Sequence, residues 1–288
     1  MAERSRETTT AGLKSERMEA ALAKALDGAP APLVDALERS SGMPGPRPNL
    51  DLARAVGAAI GRAGHKGLVL LDALTSDEKR EYLLMVAAQG FAARLAEGKA
   101  DAGEALQRLA EDPRRLVRDG VVDALRALLE SRGEAGVALL QGWTDGYLQA
   151  NVALSALADR ALLARLPGGA GPEVLARLEE AFALADGSPR AAERLQGVRQ
   201  LREGLAKQIS VIAARFPEAL GWLEGKARET ERPESREVIA GAITVLRKEG
   251  FGQAEADRIQ AVLAGSAPAP RDPSRVVQGT RKRSRGRK

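Results

Sequence analysis

The chain has no cysteine. That excludes disulfides, thiolate metal sites and a thiol nucleophile. It has a single histidine, His65, set in the Gly64–Gly67 stretch and read as an exposed turn residue, so imidazole-based metal binding and Ser/His-type catalysis have nothing to build on. Aromatics make up only 3% of the residues, so the core has to be aliphatic, built from Leu, Ala and Val in close helix–helix contact. β-Branched residues are few, which turns the composition away from sheets. No stretch approaches the roughly 18 apolar residues of a membrane helix. The longest apolar run, Tyr82 to Ala88, is expected inside an amphipathic helix. No apolar segment follows the polar N-terminus, so no signal peptide is expected, and the chain reads as cytoplasmic. Neither a phosphate-binding loop nor a dinucleotide fingerprint is present: Gly168–Gly171 is flanked by Pro167 and Pro172 and no strand precedes it. The expectation is therefore no cofactor, no metal and no catalytic residue.

What remains is a helix-forming chain of 288 residues, rich in Leu, Ala, Arg and Gly in the manner of a GC-rich bacterial genome. Its clearest unit runs from Glu111 to Leu166. Pro113 after two acids starts a helix. Val117, Val121, Val122, Leu125, Leu128 and Leu129 then share one face. After Ser131–Gly133 and Trp143–Gly146, a second helix is expected from Leu148 to Leu166, stopped by Pro167 and the glycines beyond it. Trp143 is expected to be buried in the hinge and Asp145 to cap that second helix.

Along the rest of the chain, one or two short helices precede the Pro/Gly-rich segment 40–48, which reads as a linker between an arm (1–48) and the main body (49–264). Asn49 is expected to cap a helix to Arg62. Thr75 and Glu78 form a capping box for a helix to about Glu97. Further helices are expected over 101–110, 174–185, 190–216 (one long helix with Leu195 on its apolar stripe), 217–228, from Pro233 onward, and 253–263. A second linker and a basic tail close the chain (265–288), and both termini are expected to be disordered. Setting Val117 on Val238 also aligns Gly120 with Gly241, Val122 with Ile243, Leu125 with Leu246 and Arg126 with Arg247. That offset is about three units of roughly 40 residues.

Asp112–Pro113, then Val117–Arg118, then Val121, Val122 and Leu125 at helical spacing, resemble the first helix of a HEAT repeat. The resemblance implies an all-α fold, an α-solenoid of divergent HEAT-like helix pairs with a concave binding face. It also implies a protein partner on that face as one option. A further likeness, to the DNA alkylation-repeat glycosylases, would give Trp143 and Asp145 the roles of cleft aromatic and carboxylate and Arg118 a phosphate contact.

Net charge is +5, unevenly spread. Arg271, Arg275, Arg281, Lys282, Arg283, Arg285, Arg287 and Lys288 face a single acid, Asp272, and the remainder is close to neutral. Such a tail suits polyphosphate backbones through counterion release, without sequence reading. It holds no aromatic for base stacking. Arg114, Arg115 and Arg118, with Arg190, Arg194, Arg199 and Arg202, are candidates for lining a phosphate groove. The leading expectation is a non-enzymatic scaffold associating with nucleic acid, DNA ahead of RNA. A protein-binding scaffold with an accessory tail comes second and an alkylated-base glycosylase third.

Overall fold

The computed structural model describes residues 16–45, 47–77 and 79–266. The expectations for residues 1–15 and for the basic tail, including Arg281, Lys282, Arg283, Arg285, Arg287 and Lys288, lie outside the described residues. Within them the protein is all-α, without a strand. The helices are α1 (16–26), α2 (Ala31–Ser40), α3 (Leu50–Arg62), α4 (Gly64–Ser76), α5 (Glu81–Ala96), α6 (Asp101–Ala110), α7 (Arg115–Arg132), α8 (Glu134–Ala138), α9 (Tyr147–Leu157), α10 (Arg160–Arg165), α11 (Gly171–Asp186), α12 (Gln196–Arg215), α13 (Glu218–Glu229), α14 (Pro233–Glu249) and α15 (Gln253–Gly265).

Contacts between named residues give the packing. Gly57 and Gly61 of α3 meet α5 at Val86, Gln89, Gly90 and Ala93. Gly120 of α7 faces Met85 of α5. Arg126 of α7 donates to the Ser155 carbonyl of α9. Gly197 and Gly204 of α12 face Tyr147 and Asn151 of α9. Ser210 of α12 donates to the Ala242 carbonyl of α14. Two contacts each show α3 parallel to α5 and α9 parallel to α12, and successive contacts link α3, α5, α7, α9, α12 and α14 into a row. The intervening helices α4, α6, α11 and α13 each pack on the row helices they connect, and α15 packs on α13 and α14.

Helix α5 is the centre of the first half. It is buried from Tyr82 through Ala92 and again at Arg94 and Leu95. The expected amphipathic pattern is absent because α5 is apolar on all sides, as a helix enclosed by neighbours must be. Small residues allow this enclosure. A Cβ on Gly120 would stand 2.8 Å from Met85 Cγ, and one on Gly61 would stand 3.0 Å from Ala93 Cβ. Leu33 and Leu37 of α2 are fully buried in the same core, so the helices ahead of segment 40–48 pack on the body that follows it.

Several helix ends form as their residues dictate. Asn49 accepts from the Leu52 amide, and Pro172 and Pro233 sit in the first turns of α11 and α14. Gly250 ends α14 in the left-handed region. Other boundaries differ from expectation. Gly64–Gly67 is not a free turn: Gly64, at φ +62°, bends the chain directly into α4. Helix α4 runs through Thr75 and Ser76, whose hydroxyls donate back to the Asp72 carbonyl at 3.0 and 2.8 Å. They close α4 instead of capping the next helix, and Glu78 lies outside the described residues.

The helix expected over 148–166 is broken at Asp159, whose carboxylate accepts from the Ala161 and Leu162 amides and starts α10. The helix expected over 190–216 is a 3-10 turn at Arg190–Arg194, an extended Leu195, and then α12. Asp145 caps nothing. The Gln149 amide of α9 donates instead to Glu111, a carboxylate brought in from the end of α6.

The Tyr82 hydroxyl donates to the Asn49 carbonyl at 2.7 Å and ties the start of α5 to the start of α3. Burial pushes its phenol up to about 12. The unfolded chain ionises this group near 10, so between about pH 10 and 12 the folded state holds a proton that the unfolded state has lost, and stability falls as pH rises. The expected loss across that window is about 2–3 kcal/mol. Urea unfolding of wild type and Tyr82→Phe at pH 8 and pH 11 checks it, and the variant should lack this part of the alkaline loss.

Candidate interaction surface

A belt of side-chain hydrogen bonds crosses five helices of the row. Arg54 of α3 donates to both oxygens of Asp123 of α7, with Nε–Oδ2 at 2.8 Å. Gln89 of α5 donates to the same carboxylate from below, at 2.8 Å. The Arg54–Asp123 pair therefore straps α3 to α7 across the top of α5. Hydrogen bonding to Asp123 holds the Arg54 guanidinium above its ordinary value. Farther along, Gln208 of α12 donates to Ser155 Oγ at 2.9 Å and Asn151 Oδ1 at 3.2 Å, both on α9.

Two clefts flank the strap. One, of about 350 Å³, has a floor of Ala58, Ala92, Ala93, Ala96 and Ala127, with Arg54, Arg62 and Arg132 on its rim and Glu97 at its mouth. The other, of about 320 Å³, lies between Arg54, Asp123, Arg126, Glu130 and Asp159 and carries mixed charge. On the opposite side, a cleft of about 540 Å³ is bounded by Asp72, Phe91, Arg108, Glu111, Asp112 and Arg114.

Most interior arginines have a structural task. The last carbonyls of a helix lack partners inside it and favour a nearby cation. Arg215 donates to the Leu163 and Leu166 carbonyls at 3.1 and 2.7 Å, closing α10. Arg232 donates to the Asp186 and Ser188 carbonyls after α11, and Arg236 to the Leu263 carbonyl of α15. Arg118, only 5% exposed, donates to the Asp112 carbonyl at 2.6 Å and to Gln200 at 3.1 Å.

These contacts decide what the candidate phosphate residues present to solvent. Arg118 is enclosed. Arg114 wraps Asp112 through Nε and Nη2. Burial alone would raise the Asp112 carboxyl, but the hydrogen bonds from Arg114 outweigh it and hold the group below its usual value. Arg115 is 84% exposed and pairs loosely with Asp119 at 3.4 Å. Arg202 is held by Glu193, Ser188 and the Ala185 carbonyl. Its hydrogen bond is the main cause that keeps the Glu193 carboxyl low. Arg190, Arg194 and Arg199 are exposed. The Arg118–Gln200 bond brings the starts of α7 and α12 together, but it joins two side chains turned inward.

Trp143 is buried, and Trp222 donates to Glu179 while packing edge-on against Phe182. Trp143 is thus enclosed in the core, and Asp145 stands exposed two residues after it. His65 is exposed in the first turn of α4. No cluster of His, Asp and Glu suited to a metal occurs among the described residues. None of their helices is long and apolar enough to cross a membrane. The strap and most of the arginine clamps join residues tens of positions apart, so helical periodicity could not have found them.

No protein-family model matches the chain and no curated protein is significantly similar to it. Its own structure establishes an all-helical protein of sequentially packed helices.

Proposed function

We propose that the protein is a non-enzymatic α-solenoid scaffold of divergent HEAT-like helix pairs that associates with nucleic acid through its basic segment 271–288. DNA is the preferred partner over RNA, and binding does not read sequence. The observation that carries this reading is the contrast in how cations are used. The body's arginines largely satisfy helix-end carbonyls and carboxylates, whereas 281–288 holds six Lys/Arg and no acid. A sequence with like charge of that density is suited to a polyphosphate backbone.

The repeat reading is supported by the row. Helices α7 and α14, which align over 121 residues of offset, stand three steps apart in it through α9 and α12. Val117, Val121 and Leu125 are buried in α7 where Val238, Ala242 and Leu246 are buried in α14.

Fluorescence anisotropy with a labelled DNA duplex tests the proposal. The full chain is expected to bind at low salt. Deleting 271–288 is expected to weaken duplex binding by about a hundredfold or more. All the core residues named lie between 21 and 263, so the deletion removes none of them. Equal binding by both forms would sink the tail as the binding element. A protein partner is the second reading, favoured by the alanine-floored cleft between α3, α5 and α7, where an apolar floor offers a polyphosphate nothing.

A further inference from the structure

We infer that the body carries a second nucleic-acid contact, a ridge of Arg190, Arg194 and Leu195 leading to the α9–α12 contact at Tyr147, which takes single strands in preference to duplex. This inference rests on the nucleic-acid reading above and adds to it a site and a ligand form.

The ridge is built by one inward-turned carboxylate. Glu193 accepts from Arg202 at 2.9 Å and from Arg232 at 3.2 Å, and the Ser188 hydroxyl donates to it at 3.4 Å. These bonds pin the 3-10 turn Arg190–Arg194 and interrupt the helix that the apolar spacing alone would have continued. Leu195, which that helix would have hidden, is extended and 52% exposed. Arg190 and Arg194 point to solvent, while the acid between them is held by Arg202 and Arg232.

Two residues on, Gly197 allows α12 to rest on the start of α9. A Cβ there would stand 3.1 Å from Tyr147 Cβ and 3.3 Å from Leu148 Cγ. Tyr147 and Leu148, both half-buried, therefore meet α12 two residues after Leu195. The outcome is an exposed Leu preceded by two exposed guanidinium groups, with a half-buried tyrosine at the adjoining helix contact. Asp145, exposed two residues before Tyr147, opposes the cations, so binding at the ridge alone is weak and salt-sensitive.

A duplex offers such a strip only its phosphates, because its base faces are stacked away. A single strand offers phosphates to Arg190 and Arg194 and unstacked base faces to Tyr147 and Leu195. Combined cationic and apolar character would also suit an anionic membrane, and the test separates the two.

The test uses the full chain and residues 1–270, each as wild type, Arg190→Glu/Arg194→Glu, Leu195→Ser and Tyr147→Leu, with helicity checked by circular dichroism. The probes are a labelled oligothymidylate of about 20 nucleotides, a duplex of equal length, and phosphatidylcholine vesicles containing phosphatidylserine. Residues 1–270 should bind oligothymidylate more tightly than duplex. The double charge reversal should weaken that binding by about tenfold, and Leu195→Ser or Tyr147→Leu by about threefold. Duplex binding by the full chain should hardly change.

If 1–270 ignores oligothymidylate while the full chain binds duplex, the ridge falls and the tail proposal stands. If the full chain binds neither, both fall. Binding of 1–270 to vesicles but not to oligothymidylate, or binding to oligothymidylate that the charge reversal leaves intact, also overturns the ridge.

Discussion

Gly57→Leu is expected to leave the first half of the row unable to pack, with loss of cooperative unfolding. In α3, Gly57 and Gly61 lie one turn apart, against the part of α5 that includes Gly90. Even a methyl at 57 would stand within clashing distance of the Val86 carbonyl and 2.5 Å from Gln89 Cβ. One obstacle is backbone and the other is held by the Asp123 carboxylate, so neither gives way cheaply. Gly57→Ala should therefore cost about 3 kcal/mol, the upper end for overpacking a well-filled contact. In a chain of this size that lowers the melting temperature by roughly 5 °C. Leucine should cost more, because it separates α3 from α5 altogether. Gly221 is the control: it lies inside α13 with nothing near its missing Cβ. Gly221→Ala should stabilise by about 0.5–1 kcal/mol through helix propensity and the unfolded state. Thermal and urea unfolding of the three variants tests the contrast, and a harmless Gly57→Ala would mean that α3 and α5 do not approach as described.

The second large effect is expected at the strap. Asp123 has a side chain only 7% exposed and receives donors from two helices, Arg54 from α3 and Gln89 from α5. Asp123→Ala removes both interactions and leaves the Gln89 amide, itself buried, without its acceptor. Breaking a fully buried ion pair typically costs 3–5 kcal/mol. Arg54 is half exposed and can recover water, so the expected loss is smaller, about 2 kcal/mol. A double-mutant cycle with Arg54→Ala should show coupling of about 1 kcal/mol, because the two changes share one interaction. Additive losses would show that the strap across α5 contributes little.

The helices were legible in the sequence wherever a local signal acts alone: the Asn49 cap, the proline-led starts of α11 and α14, and the glycine end at Gly250. Boundaries went astray where a distant partner decides. The break at Leu195 depends on Arg202 and Arg232 seizing Glu193, and the cap of α9 comes from Glu111 instead of the adjacent Asp145. Helix α5 has no polar stripe to read, so its enclosure shows only once α3 and α7 are packed around it. The candidate arginines stand out by charge, but charge does not tell an arginine that faces solvent, such as Arg115, from one that bonds a carbonyl beyond a neighbouring helix, such as Arg118. That difference follows from which carbonyls the fold leaves unpaired, and only the packed row determines it.

The central claim is that the net positive charge of 271–288 holds nucleic acid while the helical body acts as scaffold. The most direct test is the salt dependence of duplex affinity for the full chain and for residues 1–270. For the full chain, log K should fall linearly with log salt, by roughly 0.9 per phosphate neutralised, with a slope of about −5 to −7 if most of the segment's cations engage. For 1–270, duplex affinity should be weak and its slope shallow. A full-chain slope near zero, or a slope unchanged by the deletion, would contradict the account and turn attention to a protein partner in the alanine-floored cleft.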